Sequence, residues 1–164
     1  MKKIGIFLLL IIMVVTLTAC EKKNDNKGNN TSTEGHLHCE RVGVINDESS
    51  AEMSYEIYYT NDIINRIESV EKVTSPSRNT LDTYENSYRT IHSYYEDVEY
   101  YETEVVRTDN TVSSYIKIDY DHVDINKLIE IEGTETNIFD ENNKPSLTKY
   151  KELAKKAGAK CSNA

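Results

Sequence analysis

The sequence predicts an α+β domain: an antiparallel β-sheet meander with one long amphipathic helix packed across a face and a short C-terminal helix. Three observations support this fold class: segments in which apolar and polar residues alternate, a long apolar stripe with helical spacing, and turn residues between these segments. We place this single domain at residues 39–164. A signal peptide is predicted at residues 1–19, and a lipid-attachment cysteine followed by a disordered polar tether at residues 20–38.

The domain begins with three predicted strands. Residues 41–46 form a short strand, and a loop follows at 47–51. Apolar and polar residues then alternate from Met53 to Thr60, which is the pattern of a half-buried strand. Asn61-Asp62 is a typical turn pair, and the return strand at 63–74 has apolar residues on both sides. Either this hairpin contains a bulge or the strand is buried on both faces, so the pattern leaves its register open.

The predicted long helix follows Ser75-Pro76-Ser77, which ends the third strand. Its apolar residues are spaced three and four apart and form one stripe over about five turns: Leu81, Tyr84, Tyr88, Ile91, Tyr95 and Val98. Asn79 or Thr80 is the expected N-cap. We expect these tyrosines to pack onto the sheet with their hydroxyl groups at its rim. The alternative is that they form a platform for a carbohydrate or an aromatic ligand.

A second hairpin joins residues 101–107 to residues 112–120 through Asp109-Asn110, a pair that tolerates the positive φ of a tight turn. Pairing Thr108 with Thr111 aligns the apolar faces of the two strands, with Val105 opposite Ser114 and Thr103 opposite Ile116.

Two polar residues are expected to begin the remaining helical segments. Asp124 can cap a short turn that runs through Leu128 and Ile129, and residues 133–145 form a polar loop. Ser146 caps a last helix, which ends before Gly158.

The first 20 residues indicate a lipoprotein leader. Lys2 and Lys3 precede an apolar run of about 14 residues, which is short of the ~20 residues that span a bilayer. The run ends in Leu17-Thr18-Ala19-Cys20, which resembles the bacterial lipobox, and Leu17 is a poor residue for ordinary secretory cleavage. We therefore expect a mature chain that begins at Cys20 and is held by acyl chains, such as palmitate, on the extracytoplasmic face of the cell membrane. The alternative is an uncleaved leader whose cysteine is incidental.

The mature chain is acidic. Without Lys2 and Lys3 it has 17 basic and 28 acidic residues, a formal net charge of −11. This charge argues against a nucleic-acid partner and against a chain that lies flat on anionic lipid. A charged partner is instead expected to be a cationic peptide or protein. Residues 22–33 contain no apolar side chain, which predicts the disordered tether.

The three cysteines have different expected roles. Cys20 carries lipid, whereas Cys39 and Cys161 lie at the two boundaries of the folded region in an oxidising compartment. We expect a disulfide between them, and on the loop-entropy model it would stabilise the domain by about 4–5 kcal/mol. The alternative is a reactive thiol.

His36, His38 and Cys39 form a cluster with metal-ligand composition. In an extended segment, His-x-His places both imidazoles on one face, which makes a two-point site. A metal receptor needs three or four convergent ligands, and Cys39 is expected to be oxidised. We therefore predict no metal and no cofactor, with His36 and His38 as the candidate ligands if a metal does bind. A calcium loop at Asp119, Asp121, Asp124 and Glu130 is rejected because Asp124 stands where that loop needs glycine.

We find no catalytic signature in the sequence. It lacks Gly-x-Ser-x-Gly, a glycine-rich phosphate loop and His-Glu-x-x-His. His92 and His122 are isolated histidines that are expected at the surface or rim. We therefore expect the protein not to be an enzyme. The remaining enzymatic alternative, an envelope hydrolase, would need a deep cleft with a perturbed carboxylate.

The order of these parts matches one bacterial family. A lipobox and a polar tether precede a cysteine, a Tyr-rich hairpin at 55–62 and a Tyr-bearing helix, and a final helix leads to residues 158–161 with their terminal cysteine. Over roughly residues 38 to 162 the chain resembles the YehR-like small bacterial lipoproteins, a domain of unknown function. The resemblance implies an α+β fold, supports the cysteine pairing and supplies no catalytic residues. The Asn61-Asp62 turn departs from the family, whose members often have glycine there.

Together these features predict a membrane-anchored extracytoplasmic lipoprotein of unknown molecular activity. We expect a non-catalytic binding or accessory protein of the cell envelope, which contacts its partner through an exposed sheet face or edge. The alternative is a receptor lipoprotein for a metal or a small ligand at the His36–His38 end.

Overall fold

A computed structural model describes residues 33–133 and 138–164. The predicted signal peptide, Cys20 and residues 21–32 of the predicted tether lie outside this described part. Within it, strands and helices follow one another in this order: β1 (Glu34–Asn46), β2 (Ser49–Thr60), β3 (Ile63–Thr74), α1 (Arg78–Ser93), β4 (Tyr101–Arg107), β5 (Thr111–Asp119), α2 (Ile125–Glu132), α3 (Leu147–Lys156) and β6 (Lys160–Asn163). The predicted α+β class is confirmed.

The strands form one six-stranded antiparallel sheet with the order β4-β5-β3-β2-β1-β6. The predicted meander is therefore correct only from β1 to β3. After α1, the β4–β5 hairpin adds with β5 beside β3 and β4 at the edge. In this arrangement β5 has four buried positions and β4 has one, as expected for an inner strand and an edge strand.

One face of the sheet packs against the three described helices, and no described helix packs on the other face, which we call the open face. On the covered face, buried residues form three adjacent clusters. Their main members are, near α3, Leu37, Ile57, Ile67 and Leu147; near α2, Tyr101, Ile118 and Leu128; near α1, Val73, Leu81, Tyr88 and Val112. The side chains that alternate with these along each strand point to the open face.

Strand β1 is longer than predicted. It begins at Glu34, so the last five residues of the predicted tether belong to a strand, and the predicted domain boundary at Cys39 lies inside β1. The predicted loop at 47–51 is a tight turn, because β2 already begins at Ser49. Strand β6 was not predicted, since all four of its residues are exposed and show no alternation. It pairs with residues 37–40 of β1.

The predicted long helix is wrong in its extent. Helix α1 has 16 residues and ends at Ser93, not at Val98. The apolar stripe continues beyond the helix because the turns that follow also pack on the core, and Tyr95 and Val98 are buried in them. The N-cap is Ser77, whose hydroxyl accepts a hydrogen bond from the Thr80 N–H at 3.3 Å, and not Asn79 or Thr80.

The structure decides between the two alternatives for the β2–β3 hairpin, because it contains a bulge between Tyr58 and Tyr59. The predicted pairing of the β4–β5 hairpin is confirmed, with Val105 opposite Ser114. Asp124 caps α2 and Ser146 caps α3.

Asp62 links the β2–β3 turn to α3. Its carboxylate accepts hydrogen bonds from the Ser146 hydroxyl at 2.7 Å and from the Thr148 N–H at 2.9 Å. Partial burial raises the pKa of the Asp62 carboxyl, but these hydrogen bonds outweigh burial and the pKa lies below its usual value. The ionised carboxylate therefore fixes the start of α3 against the sheet.

Candidate functional site

Three polar side chains meet on the open face of the sheet. His36 and His38 project from the same side of β1, as their spacing predicts, and Glu56 lies opposite His38 on β2. The Nε2 of His36 is 2.6 Å from one Glu56 carboxylate oxygen, and the Nδ1 of His38 is 2.6 Å from the other. A single carboxylate thus accepts hydrogen bonds from two imidazoles. We call this group the His–Glu–His cluster; about a third of each side chain is exposed.

A stack of rings and a cation supports the His–Glu–His cluster. The rings of His36 and Tyr58 are stacked, with centroids 4.4 Å apart and planes 7° from parallel. On β3, the guanidinium carbon of Arg66 lies 4.0 Å from the Tyr58 ring centroid, and its Nε is 3.2 Å from a Glu68 carboxylate oxygen. Stacking and cation–π attraction of this kind hold planar groups in one orientation. The His36 ring is therefore held facing Glu56.

The Glu56 carboxylate is ionised at neutral pH. Partial burial raises the pKa of this carboxyl, but hydrogen bonds from His38 and His36 outweigh burial, and the pKa lies below its usual value. The cluster thus combines a negative charge with two imidazole nitrogens. Within residues 33–133 and 138–164, however, no group of three or more His, Cys, Asp or Glu side chains is arranged so that it could hold a metal ion.

The sequence analysis did not find Glu56. It is one of several carboxylates on alternating strands, and only the pairing of β1 with β2 places it beside His38. The third member of the predicted cluster, Cys39, points to the covered face and is in the predicted disulfide with Cys161. The structure thus keeps the two predicted histidines together and replaces Cys39 by Glu56 as their neighbour.

The outer edge of β1 is a second candidate surface. Strand β6 pairs only with residues 37–40 of β1, and no other described strand lies beside residues 41–46. Two valines of this segment are exposed on the open face, Val42 at 73% and Val44 at 82%. Isolated exposed valines are common, but two of them on a strand edge form an apolar strip next to backbone groups that no described strand pairs with. We call residues 42–46 the bare edge.

An open depression lies near the disulfide, between α3 and β6. Its volume is about 430 Å³, and its lining includes Leu37, Lys151, Lys155 and Cys161. The lining contains no carboxylate and no histidine, so it offers no acid–base pair.

His92 is not at the surface or rim, as the sequence analysis expected. It is buried between α1 and β5, and its Nε2 is 2.9 Å from the Ser114 hydroxyl oxygen. This arrangement combines a base with a nucleophile, but the two side chains are only 8% and 5% exposed. Burial lowers the pKa of His92, so the neutral imidazole is favoured. The other isolated histidine, His122, is exposed and lies 2.8 Å from an Asp119 carboxylate oxygen.

Two carboxyl groups are partly buried between the sheet and the helices. Burial raises the pKa of Glu71, on β3, against a hydrogen bond from Tyr88 and the charge of Arg41. At the end of α2, burial raises the pKa of Glu132 to about 7 against a hydrogen bond from Tyr95. A raised pKa is also found in some catalytic carboxyls, but both of these groups lie beside tyrosines of the core.

None of the described helices is both long enough and apolar enough to cross a membrane. The expected lipid attachment at Cys20 and the tether lie outside the described residues.

Comparisons with known proteins identify the family of this chain and a similar fold. Residues 42–160, well over half of the chain, match the family described as a protein of unknown function (DUF1307). The NMR structure of the Escherichia coli YehR protein has a TM-score of 0.56 and 17% identity, over 79% of this chain and 91% of that one. An NMR structure of a protein from Streptococcus pneumoniae TIGR4 has a TM-score of 0.45 and 15% identity, over 92% and 97% of the two chains. A search of curated proteins found no match. The YehR-like resemblance is thus confirmed at the level of family and fold.

Proposed function

We propose that this chain, which belongs to the DUF1307 family of proteins of unknown function, is a non-catalytic lipoprotein of the cell envelope. It is anchored through Cys20 and binds an extended cationic segment of a peptide or protein along the bare edge of β1. The observation that carries the proposal is the exposure of this edge beside two solvent-facing valines.

Within the described residues, no strand pairs with the outer backbone groups of Val42 and Val44. The His36 carbonyl points away from β2, because it accepts a hydrogen bond from the Ala164 N–H at 3.0 Å beyond the end of β6. Backbone groups alternate in direction along an antiparallel strand, and Val42 and Val44 have the same parity as His36. Their N–H and C=O groups therefore also point away from β2. An extended chain laid beside β1 can bond to them, as in recognition by strand addition.

The side chains of the bare edge favour such pairing. Edge strands are commonly protected by charges, prolines or bulges that prevent another strand from adding. The opposite edge of the sheet, β4, follows this rule with the exposed carboxylates Glu102 and Glu104. The bare edge instead presents Val42 and Val44 to solvent.

The charge around the bare edge favours a cationic partner. Exposed acidic residues flank the two valines, with Glu40 on one side and Asp47 and Glu48 in the turn on the other. The expected mature chain has a formal net charge of −11, which attracts cations over a longer range. Lysine or arginine side chains at alternate positions of an added strand would lie near these carboxylates.

The expected anchor is compatible with a binding role. From Cys20 to the start of β1 at Glu34, the chain can span at most about 50 Å. The domain could therefore meet partners at some distance from the lipid surface while staying attached to it.

The environment of the titratable groups supports a non-catalytic role. His92 and Ser114 are buried, and Glu71 and Glu132 are only partly exposed, beside tyrosines of the core. A hydrolase would need at least one of these groups to face a substrate-sized cleft.

Strand addition can be tested with a short fluorescent peptide of alternating Lys and Val residues. We expect the intact protein, in a non-ionic detergent, to raise the fluorescence anisotropy of this peptide, and the effect to weaken at high salt because screening reduces charge attraction. A matched peptide of alternating Glu and Val should not bind. Empty micelles provide the baseline.

Two variants locate the contact. Replacing both edge valines (V42K/V44K) adds charges that repel a cationic strand, and this change should abolish binding. The matched variant V106K places the same charge on the β4 edge and should bind as the wild type does. Equal binding by V42K/V44K and the wild type, or no binding of the Lys-Val peptide to the wild type, would contradict the proposal.

A further inference from the structure

We propose that the outer side of α3 lies against anionic phospholipid headgroups of the membrane and turns the open face of the sheet away from the bilayer. The contact is made by three exposed lysines of this helix, Lys151, Lys155 and Lys156, which we call the lysine face. The inference rests on the proposed anchor at Cys20, which would keep the domain next to lipid. It adds an orientation that an anchor on a tether does not impose.

Charge is distributed unevenly along the chain. Residues 147–163 contain five lysines and one glutamate, a net charge of +4, although the expected mature chain as a whole has −11. The net charge argues against contact between an average surface of this protein and anionic lipid. Exposed charges are screened beyond about 8 Å at physiological salt, however, so a surface responds mainly to the charges nearest to it. A local cationic face can therefore contact anionic headgroups while the acidic surfaces point away from them.

The lysine face differs from the lysines of the sheet in its surroundings. On the open face, Lys72 forms an ion pair with Glu52 at 2.7 Å, and Lys117 forms one with Glu102 at 2.9 Å. Among the described residues, no carboxylate lies within ion-pair distance of the lysine face. The charge of this face is therefore available to an external anion.

Two acidic residues lie near the lysine face. Glu152 is exposed on the same helix, and Lys151 is close enough to Asp62 for the two charges to interact. The Asp62 carboxylate already accepts hydrogen bonds from Ser146 and Thr148 at the start of α3. These two acids leave an excess of positive charge on the exposed side of the helix.

The lysine face lies near the point where the expected tether joins the domain. The Asn61 N–H donates a hydrogen bond to the Thr33 carbonyl at 2.8 Å, and the next residue, Asp62, binds the start of α3. The Lys151 ammonium is 5.9 Å from the centroid of the Tyr59 ring, on the strand beside the first residues of β1. Since α3 has 10 residues, it is about 15 Å long, and the whole lysine face stays close to this end of the domain. The tether would thus bring this end nearest to the anchor.

The depression between α3 and β6 can receive a phosphate group. Lys151 and Lys155 are one helical turn apart, and both line this depression of about 430 Å³ together with Ser162. Two ammonium groups and a hydroxyl are hydrogen-bond donors of the kind that phosphate oxygens accept. An anionic phospholipid such as phosphatidylglycerol supplies this group at the membrane surface.

The test is lysine footprinting of the acylated, full-length mature protein on vesicles. The protein is placed on vesicles of phosphatidylglycerol and phosphatidylcholine, or of phosphatidylcholine alone, and acetylated at low conversion. We expect the lysine face to react at least about threefold more slowly on the anionic vesicles, because it is held against the headgroups. Lys72 and Lys117 of the open face should react equally on both. About 1 M NaCl should remove the difference, since it shortens the screening length to about 3 Å.

Charge reversal locates the contact. In K155E/K156E, Lys151 should react at the same rate on both kinds of vesicle, because the remaining lysine cannot hold the helix against lipid. The matched variant K72E/K117E reverses two charges on the open face and should keep the protection of Lys151. All four substituted residues are at least partly exposed, and circular dichroism spectra establish that both variants are folded.

Three results would overturn the proposal. The first is equal reactivity of the lysine face on the two kinds of vesicle. The second is equal protection of Lys72 and Lys117, which would show that the domain has no preferred orientation. The third is protection by inorganic phosphate in solution, without vesicles, that is as strong as protection by anionic vesicles, since this would assign the lysine face to a free anion.

Flotation of the vesicles separates this proposal from the proposed function. Protein that floats with the vesicles but shows equal lysine reactivity contradicts the orientation alone. Protein that floats with neither kind of vesicle contradicts the anchor, and the orientation that depends on it.

Discussion

Glu132 is a carboxyl group that the fold surrounds with tyrosine rings. It ends α2 and lies beside Tyr95, Tyr101 and Tyr120, and burial raises its pKa from 4.5 to about 7. The phenol groups respond in the same way, since burial raises the pKa of each of these tyrosines well above its usual value. Folding therefore favours the neutral form of every acid in this cluster.

This burial predicts a stability that falls as pH rises. Below pH 4.5 the Glu132 carboxyl is neutral in both the folded and the unfolded chain, so its ionisation has no effect on stability. Between pH 4.5 and about pH 7 the unfolded chain ionises first, and the folded state loses stability. Glu132→Gln should thus be nearly neutral at pH 4 and raise the free energy of unfolding by about 1–3 kcal/mol at pH 8. Urea unfolding at the two pH values measures this difference.

Glu130 provides the control, because it is exposed on the same helix. E130Q should change the free energy of unfolding little, and equally, at both pH values. A gain for E132Q that does not depend on pH would show that the ionisation of Glu132 is not its cause.

At the scale of elements, β6 depends on the disulfide. This strand has four exposed residues and contributes no buried side chain, so its pairing with β1 gains little from the hydrophobic effect. Cys39 and Cys161 lie directly opposite each other in this pair and link positions 122 residues apart. The covalent bond therefore holds in place a strand that would otherwise be marginal.

Removing the disulfide should both destabilise the domain and release β6. For C39A/C161A we expect a loss of about 2–5 kcal/mol in the free energy of unfolding, because the cross-link no longer restricts the unfolded chain. Hydrogen exchange should accelerate at the outward-facing amides of residues 37–40 of β1. Urea unfolding and exchange mass spectrometry measure the two effects. S162A, which leaves the disulfide intact, should change neither the free energy of unfolding nor the exchange rate. If both are also unchanged in C39A/C161A, noncovalent contacts alone hold β6 in place.

At the scale of the whole molecule, the chain would combine a two-layer domain with a lipid anchor. The covered face of the sheet packs against the helices, while the open face and the bare edge remain available to partners. Two acyl chains at Cys20, at ~0.8 kcal/mol for each buried CH₂ group, would hold such a domain at the membrane without a spanning helix.

The anchor makes a direct prediction about location. Cys20→Ser removes the acylated thiol, and the protein should move from the membrane fraction to the soluble or secreted fraction. Intact mass spectrometry of the wild type should show a chain that starts at Cys20 and carries lipid. C39A/C161A is the matched control, since it lacks two other cysteines and should stay in the membrane fraction. Identical fractionation of C20S and the wild type would exclude lipid anchoring through this residue.

Local sequence patterns predicted several elements well because their causes are local. Asp124 and Ser146 were identified as caps because their side chains bond to backbone groups two or three residues away. The stripe from Leu81 to Val98 correctly marked buried side chains, but α1 ends at Ser93 because burial continues into the turns after it. The spacing of apolar residues shows which residues face the core. It does not show where the helical hydrogen bonds end, which is why the end of α1 was predicted wrongly.

The sequence by itself determined the α+β class, the two hairpins and the pairing of Cys39 with Cys161, because alternation, capping and the number of available cysteines are properties of the chain alone. Only the tertiary structure decided that Glu56 contacts both His36 and His38, and that no described strand pairs with the outer edge of residues 42–46. The physical reason is that a period of two tells which side chains share a face of their own strand. It does not tell which strand lies beside it, nor which face the helices cover, since both depend on contacts between residues far apart in the chain.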